Sequence, residues 1–213
     1  MVLMPDEQYY LDYKTSILSD EPILVDVGGF EGDFTKSFFK KFPYAKSFIF
    51  EPVKISADNI RKYMGDLNVQ IFQFGIGETL KWSDFYEVTG NGKECSSIYF
   101  RQNFVGNLQP KAIISLDMLY PTFFDHIDYL KIDVEGNEYN ALKGAKNIIE
   151  NKIAKYIQFE YGECYSLANV ELNDVIKLLS TNYTVFHKDY GYVDDSFNLK
   201  DECVRNFFAE VKS

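Results

Sequence analysis

Cysteine is scarce in this sequence. Cys95, Cys164 and Cys203 are the only three cysteines among 213 residues. They are far apart and odd in number, and none belongs to a C-x-x-C pair, so the sequence predicts neither a disulfide framework nor a zinc site. Reduced thiols are typical of cytoplasmic proteins, and the cytoplasm is therefore the compartment that we expect.

Positive charge is also in short supply. The chain has 22 Lys and Arg against 32 Asp and Glu, a formal net charge of −10. A surface that binds nucleic acid needs clustered Lys and Arg, so we expect no nucleic-acid partner. No apolar run approaches the ~20 residues of a membrane helix, and the N-terminal MVLMPDEQYY is too acidic for a typical signal peptide. We therefore expect no membrane span.

Apolar runs that predict strands alternate along the chain with amphipathic segments that predict helices. The predicted strands are ILVDV, SFIFEP, NVQIFQFGIG, IDYLKID and KYIQFEYGE, and the predicted helices are DFTKSFFKKF, ISADNIRKYMG, YNALKGAKNIIEN and VELNDVIKLLS. At the C-terminal end, NYTVFHKDYGYVDD and VRNFFAEVK predict two strands joined by a loop, which suits antiparallel but not parallel pairing. We predict one α/β domain over residues 1–213, with a mainly parallel sheet, one antiparallel strand and helices on both faces.

The segment ILVDVGGFEGDFT, residues 23–35, predicts a strand, a glycine turn and the start of a helix. Gly28, Gly29 and Gly32 permit positive φ and close approach of a ligand, and a helix N-terminus presents free N–H groups. The next strand ends in Glu51, at the spacing of ~20 residues where an acid binds ribose hydroxyls. This pattern predicts an adenosine-containing cofactor.

Two cofactors compete for this pattern. The nicotinamide-dinucleotide fingerprint G-x-G-x-x-G would need glycine at position 30, where Phe30 stands. Asp26, Glu31 and Asp33 would also repel a pyrophosphate. S-adenosylmethionine (SAM) has no phosphate and carries a sulfonium cation, which nearby acids favour. We therefore predict SAM.

Four motifs together resemble the FkbM family of SAM-dependent methyltransferases. They are VDVGGFEGDFT, FEP at residues 50–52, SLDML at residues 115–119 and LKIDVEGNEYNALKGA at residues 130–145. The resemblance runs from about Ile23 to Glu160. It implies a Rossmann-like class I methyltransferase fold, with a seven-stranded sheet whose last strand is antiparallel. It also implies O-methylation of sugars in glycans and surface polysaccharides, or of polyketide-type metabolites.

The cofactor contacts that we expect are Asp26, Gly28, Gly29, Phe30, Gly32, Glu51, Pro52, Phe74, Gly75, Ile76, Ser97 and Asp133. The glycine turn would hold the amino-acid arm of SAM, with Asp26 near its ammonium group, and Glu51 would bind the ribose. The third strand would line the adenine, although Phe74 and Ile76 fit an ordinary core equally well. Family members commonly have Ala-Asn after the first glycine, where this chain has Gly29 and Phe30.

Two segments depart from the regular alternation. Residues 6–20 predict an amphipathic helix with Tyr9, Tyr10, Tyr13 and Ile17 near helical spacing. This N-terminal extension, residues 1–21, suggests a homodimer as the alternative to packing on its own domain. Residues 78–110 contain two short predicted strands, Trp82–Val88 and Ser97–Phe100, around the polar turn GNGKE. We expect this segment to be an insertion over the active site.

The candidate catalytic residues are Asp133, Glu135 and Glu160, which follow predicted strands at the ligand-binding edge of the sheet. Methylation of an alcohol needs either a general base or a divalent ion that acidifies the hydroxyl. The same three acids are therefore the candidates for either role, and the sequence does not indicate a metal. Glu135 could instead only cap the following helix.

The acceptor is expected to be a hydroxyl of a small molecule or glycan. The signature D/N-P-P-Y/F, which is typical of amino-group methylation, is absent, and IDVEG stands in its place. A sugar of a surface polysaccharide is the first prediction and a secondary-metabolite hydroxyl the second. A nicotinamide oxidoreductase and a non-catalytic SAM-binding module are the readings from other functional classes, and the intact acids disfavour the latter.

Overall fold

The computed structural model describes residues 3, 5–13, 18–199 and 205–212. Their strands are β1 (Ile23–Val27), β2 (Lys46–Phe50), β3 (Val69–Phe72), β4 (Gly75–Ile76), β5 (Lys81–Val88), β6 (Gly106–Ile114), β7 (Ile127–Ile132), β8 (Ala154–Tyr161), β9 (Tyr183–His187), β10 (Gly191–Val193) and β11 (Arg205–Val211). Their α-helices are α1 (Pro5–Tyr13), α2 (Asp33–Lys41), α3 (Lys54–Tyr63), α4 (Glu138–Lys143), α5 (Lys146–Glu150), α6 (Cys164–Ala168) and α7 (Leu172–Ser180).

Eight of the described strands form the main sheet, in the order β10-β9-β11-β8-β7-β1-β2-β3. The strands from β8 to β3 are parallel to one another, and β11 is antiparallel to both of its neighbours, β8 and β9. The α/β fold and the reversed last strand are therefore as predicted. The short strand β10 pairs antiparallel with β9 as an eighth strand, so two strands run against the others instead of one.

Helices cover both faces of this sheet because its central strands are apolar on both sides. Buried side chains of α4, α5 and α7 pack on one face with Val25 and Val27 of β1. On the other face, α1 and α2 pack around Leu24, and α3 packs on Ile49 of β2. Because the strands from β8 to β3 are parallel, their carboxyl ends all lie at one edge of the sheet. This edge is where α/β proteins bind ligands.

The prediction of one strand over residues 68–77 is wrong. β3 ends at Phe72, and Gly75 and Ile76 pair instead with β6 in a second sheet of order β4-β6-β5. Phe74 lies in an aromatic cluster instead. Its ring centroid is 5.6 Å from that of Phe50 and 5.5 Å from that of Phe72. The predicted strand Ser97–Phe100 is also wrong, because only an isolated bridge joins Ser97 to Tyr86.

Three further element boundaries differ from the predictions. The helix predicted over residues 139–151 is broken into α4 and α5, and the strand predicted over residues 182–195 is the hairpin β9–β10, which turns before Gly191 at φ 73°. Helix α6 was not predicted. Among the residues described, α1 ends at Tyr13 and residues 18–20 are not helical, while Ile17 and Cys203 lie outside the described residues.

No helix in the described ranges is long and apolar enough to cross a membrane.

Helix α1 packs on its own domain. The Tyr10 ring stacks on Phe208 with centroids 5.4 Å apart, and its hydroxyl donates to the Asn206 carbonyl oxygen over 3.0 Å. The backbone N–H of Asn206 in turn donates to Asp6 Oδ2 over 2.8 Å. These buried polar contacts fix the helix against β11, and Glu7, beside Asp6, lies 3.6 Å from Lys131 Nζ of β7.

The break between α4 and α5 leads to a prediction about stability. At Gly144, a Cβ atom would overlap the carbonyl oxygen of Gly77, which leads out of the second sheet. Overpacking of this kind usually costs about 1–3 kcal/mol, so we expect Gly144→Ala to lower the free energy of unfolding in urea by at least that amount. The control is Gly65→Ala, where the nearest atom would lie 3.4 Å from the new Cβ. A Gly144→Ala protein as stable as this control would contradict the packing described.

Candidate active site

A cavity of about 230 Å³ opens at the carboxyl ends of the parallel strands. Eleven of the predicted site residues line it: Asp26, Gly28, Gly29, Phe30, Glu51, Pro52, Gly75, Ile76, Asp133, Glu135 and Glu160. Helix α1 contributes Glu7, and the segment over residues 78–110 contributes Phe85, Lys93, Glu94, Ser96 and Ile98. The cavity is therefore enclosed by the main sheet, the N-terminal helix and the small sheet together.

Three predicted residues do not line the cavity. Gly32 has φ 77° at the start of α2, and a Cβ there would overlap the methyl group of Met64. Phe74 lies in the aromatic cluster with Phe50 and Phe72. Ser97 is buried, and its Oγ donates to the Glu135 carbonyl oxygen over 2.7 Å. These residues shape the walls of the cavity from behind.

The glycine turn brings two strand ends into direct contact. Gly28 has φ 85°, and its N–H donates to the Phe50 carbonyl oxygen over 2.9 Å. A Cβ at this position would overlap the carbonyl oxygen of Asp133 at the end of β7. Only glycine permits this close approach, so the turn and the candidate catalytic loop are held together at Gly28.

Glu51 holds two backbone segments at the end of β2. Its Oε2 accepts the N–H of Phe30 over 2.8 Å, and its Oε1 accepts the N–H of Val53 over 2.7 Å. Phe30 adopts φ 45° in this arrangement. Burial raises the pKa of Glu51 to about 7, although both N–H donors act to lower it. Glu51 also lines the cavity.

Asp26 lines the cavity and has one carboxylate oxygen without a hydrogen-bond partner among the described residues. Its side chain is buried, and Oδ2 accepts the Thr35 hydroxyl over 2.6 Å. Oδ1 has no hydrogen-bond partner within the part of the chain that the structure describes. Burial raises the pKa of the Asp26 carboxyl group, whereas the positive charge of Lys131 acts to lower it. A buried acceptor without a donor is costly, and the ammonium group of a SAM molecule is a donor of the required kind. The residues present therefore fit this cofactor.

Lys131 is a buried cation that the sequence predictions missed. It lies on β7 with 4% of its surface exposed. Its Nζ is 2.8 Å from Asp133 Oδ2 and 3.6 Å from Glu7 Oε1. Burial alone would lower the pKa of Lys131, but Asp133, Glu7 and Asp26 raise it above its ordinary value. A lysine between the apolar residues Leu130 and Ile132, near the end of a predicted central strand, is the signal that would have revealed it.

The three predicted catalytic acids converge. Carboxylate oxygens of Asp133, Glu135 and Glu160 lie within 4.8 Å of one another. Arg101, which the predictions also missed, pairs with Glu135 over 2.8 Å. Burial and the neighbouring Asp133 raise the pKa values of both Glu135 and Glu160. In the described ranges, Glu160 has no ion pair, so its carboxyl group is the least restrained of the three.

The loop between β7 and α4 sets the position of these acids. Glu135 has φ 57° and Gly136 has φ 102°. Behind them, Glu138 is fully buried and accepts the N–H groups of Val134 over 2.8 Å and of Gly136 over 3.0 Å. Burial raises the pKa of Glu138 to about 8. Glu138 therefore holds the loop in place. Glu135, for which capping of the following helix was the alternative, lines the cavity, and α4 has no side-chain cap hydrogen bond.

A divalent metal would find three carboxylates here, but two of them already have cationic partners. Lys131 pairs with Asp133 and Arg101 with Glu135. Mg²⁺ binds carboxylate oxygens, and a neighbouring cation weakens the attraction of a carboxylate for a metal ion. The ammonium and guanidinium groups thus supply the positive charge that a metal ion would otherwise bring to this cluster.

Comparison with known proteins reveals related sequences and folds. A model of the methyltransferase FkbM domain matches residues 26–193. The 2-O-methyltransferase NoeI of Sinorhizobium fredii (strain NBRC 101917 / NGR234) is 24% identical over an alignment of 174 residues that covers 75% of this chain and 71% of that protein.

Solved structures share the fold. Methyltransferase FkbM from Methylobacillus flagellatus KT superposes with a TM-score of 0.61 and 17% identity, over 98% of this chain and 48% of that one. This chain thus spans about half the length of that protein. M. capricolum TrmK, in complex with S-adenosylhomocysteine (SAH), has a TM-score of 0.52 and 12% identity, over 100% of this chain and 70% of that one.

The buried acids lead to a prediction about pH. The pKa of Glu138 rises from 4.5 to about 8 on folding. Between pH 4.5 and about pH 8, the folded protein therefore binds more protons than the unfolded chain. The free energy of unfolding must then fall as pH rises through this window, by up to about 1.4 kcal/mol per pH unit for each such group. We expect the free energy of unfolding in urea to fall less steeply from pH 5 to pH 8 in Glu138→Gln than in the wild type.

Only the slope is compared, because Glu138→Gln also weakens the loop at every pH. His187, whose pKa is lowered by burial, acts in the opposite direction but is common to both proteins. The exposed substitution Asp66→Asn should retain the wild-type slope. Equal slopes in Glu138→Gln and the wild type would show that Glu138 does not titrate in this range.

Proposed function

Because this chain belongs to the FkbM methyltransferase family and is a SAM-dependent methyltransferase, we propose that it methylates a hydroxyl group of a sugar or sugar-derived acceptor in glycan or surface-polysaccharide synthesis. The observation that carries this proposal is the meeting of three carboxylates within 4.8 Å beside the glycine turn, in one cavity. A hydroxyl acceptor needs a proton acceptor at the point of transfer, and this cluster supplies one.

The cofactor half of the cavity is formed by the turn and the neighbouring strand ends. Asp26 Oδ1 would accept a hydrogen bond from the ammonium group, and the backbone from Gly28 to Phe30 would surround the amino-acid arm. Glu51 would accept hydrogen bonds from the ribose hydroxyls, with Gly75 and Ile76 beside the adenine. When bound, SAM supplies an electrophilic methyl group on a sulfonium. The protein would hold donor and acceptor in line, and such positioning removes several kcal/mol from a barrier.

Glu160 is the best candidate for the general base. Asp133 is held by Lys131 and Glu135 by Arg101, whereas Glu160 has no ion pair within the described residues. Burial and its acidic neighbours raise the pKa of Glu160, which brings its basicity closer to that suited to proton transfer near neutral pH. We assign to Glu160 the role of accepting the acceptor proton, while Asp133 and Glu135 remain in their ion pairs with Lys131 and Arg101.

Support for an oxygen acceptor comes from two sources. The relative NoeI is named a 2-O-methyltransferase, and the sequence after β7 is DVEG in place of the signature that is typical of amino-group methylation. A sugar is proposed from the family resemblance, and a secondary-metabolite hydroxyl is the second candidate. A cytoplasmic location is part of the same proposal, because Cys95 and Cys164 are free thiols.

The cofactor assignment is tested by calorimetric titration of the protein with SAM, SAH and NAD, each with and without Mg²⁺. We expect micromolar binding of SAM, no binding of NAD, and no dependence on Mg²⁺, because Lys131 and Arg101 already compensate two of the acids. Binding of NAD alone, or of neither cofactor, would contradict the proposal.

The base assignment is tested with Glu160→Gln, using an acceptor that supports turnover in a screen of sugars and glycans. We expect kcat to fall by about 10²–10⁴-fold, the usual contribution of a general base, and the dissociation constant of SAM to change far less. Asp66→Asn, which removes one acid from the exposed surface, should retain full turnover. A Glu160→Gln enzyme with near wild-type kcat would assign the proton transfer to another group.

A further inference from the structure

A second, smaller cleft lies beside the active-site cavity. Its volume is about 50 Å³, against about 230 Å³ for the cavity. Four aromatic side chains and one arginine form most of its lining: Tyr86, Tyr99, Phe100, Phe104 and Arg101. The ring centroids of Tyr86 and Phe100 lie 5.3 Å apart, and the Arg101 guanidinium lies 5.0 Å from the centroid of Phe104. We call this site the aromatic cleft; its volume suits one face of a ring and not a whole cofactor.

The aromatic cleft and the active-site cavity share one wall. Glu94 and Ser96 line the cavity, whereas Cys95 between them lines the cleft. Arg101 Nη2 joins the two sites, because it donates to the Cys95 carbonyl oxygen over 2.5 Å and to Glu135 Oε2 over 2.8 Å. Glu135 itself lines the cavity. A ligand part that leaves the cavity past this wall therefore meets the aromatic cleft.

Arg101 brings hydrogen-bond donors to the cleft without free charge. Its side chain is 10% exposed, and Glu135 compensates its positive charge over 2.8 Å. Both of its hydrogen bonds use Nη2, so Nε and Nη1 donate to no atom within the part of the chain that the structure describes. Donors that are largely buried and unpaired are costly. A bound neutral oxygen would satisfy them, whereas a carboxylate or phosphate would find no uncompensated cation.

A neutral sugar ring matches this combination of groups. A pyranose has faces formed by C–H groups and an edge formed by hydroxyl groups. Aromatic rings carry partial negative charge on their faces, so they attract the C–H groups, and the hydroxyl oxygens accept hydrogen bonds from a guanidinium. A hydrocarbon chain would match the rings alone and would leave the donors of Arg101 unpaired.

We propose that the aromatic cleft is an acceptor subsite, which binds an uncharged sugar ring next to the ring that is methylated. The inference rests on the proposed function and specifies its substrate as a neutral saccharide of at least two units. The rings of Tyr86 and Phe100 contact one face of the bound sugar, and Arg101 donates to its oxygens. Arg101 thus holds Glu135 on one side of the wall and the acceptor on the other.

The test is saturation-transfer NMR of the protein loaded with SAH, which prevents turnover. The probes are the methyl glycosides of glucose, galactose and mannose, the disaccharides maltose, cellobiose and lactose, and methyl glucuronide. We expect signals from the ring C–H protons of at least one neutral disaccharide, and weaker binding of methyl glucuronide than of methyl glucoside. The absence of binding by every neutral probe, or equal binding of the glucuronide and the glucoside, would overturn the inference.

Two exposed aromatic residues provide a matched pair of variants. Phe100 lies in the cleft and is 57% exposed, so Phe100→Ala should fold normally. We expect it to weaken saccharide binding by at least ~5-fold, the loss expected for one aromatic contact, and to leave the dissociation constant of SAM unchanged. Trp82→Ala removes a ring that is 75% exposed on β5 and does not line the cleft, so it should retain wild-type binding of both ligands.

The two ligands separate this inference from the proposed function. Saccharide binding that Phe100→Ala leaves intact, or that both variants weaken equally, would overturn the subsite. A loss of SAM binding in Phe100→Ala would assign the ring to the support of the active site, which also overturns the subsite. Failure of the wild-type protein to bind SAM would instead overturn the proposed function.

Discussion

The ammonium group of Lys131 is the charge on which this site depends. It lies 2.8 Å from Asp133 Oδ2 and 3.6 Å from Glu7 Oε1, almost wholly buried. Several carboxylates can be buried together in their charged form only if a cation lies among them, and removing one partner of a buried pair costs about 3–5 kcal/mol. Lys131 therefore permits acids from α1, from β1 and from the end of β7 to converge at the edge of the sheet.

The loop after β7 is positioned from two sides. Within the domain, Glu138 binds two of its N–H groups, and a Cβ at Gly28 would leave no room for the carbonyl oxygen of Asp133. From the segment over residues 78–110, Ser97 binds the Glu135 carbonyl oxygen and Arg101 binds its carboxylate. These contacts hold Glu135 at positive φ, a conformation that non-glycine residues adopt only when their surroundings determine it.

The scaffold and the chemistry are separable in this protein. Structures that are only 12–17% identical share the fold, so the sheet and its helices are compatible with widely different sequences. What can distinguish one such enzyme from another is the set of side chains at the carboxyl edge. Here that edge combines an unpaired Asp26 oxygen, a buried Glu51 that lines the cavity and a cluster of three acids. A negatively charged cavity of this kind suits a cationic methyl donor.

The sequence by itself determined the alternation of strands and helices, the glycine turn, and the acids at the strand ends, because these depend on local hydrophobic period, on backbone freedom and on the common direction of parallel strands. It also predicted that Asp133, Glu135 and Glu160 would lie together. Only the tertiary structure decided which cations compensate them. Lys131 is buried on β7, while Arg101 and Ser97 come from the segment over residues 78–110. Strand pairing was mispredicted at Ser97 in that segment and at Gly75 just before it. Such long-range pairing depends on packing partners far away in the chain, which local patterns do not encode.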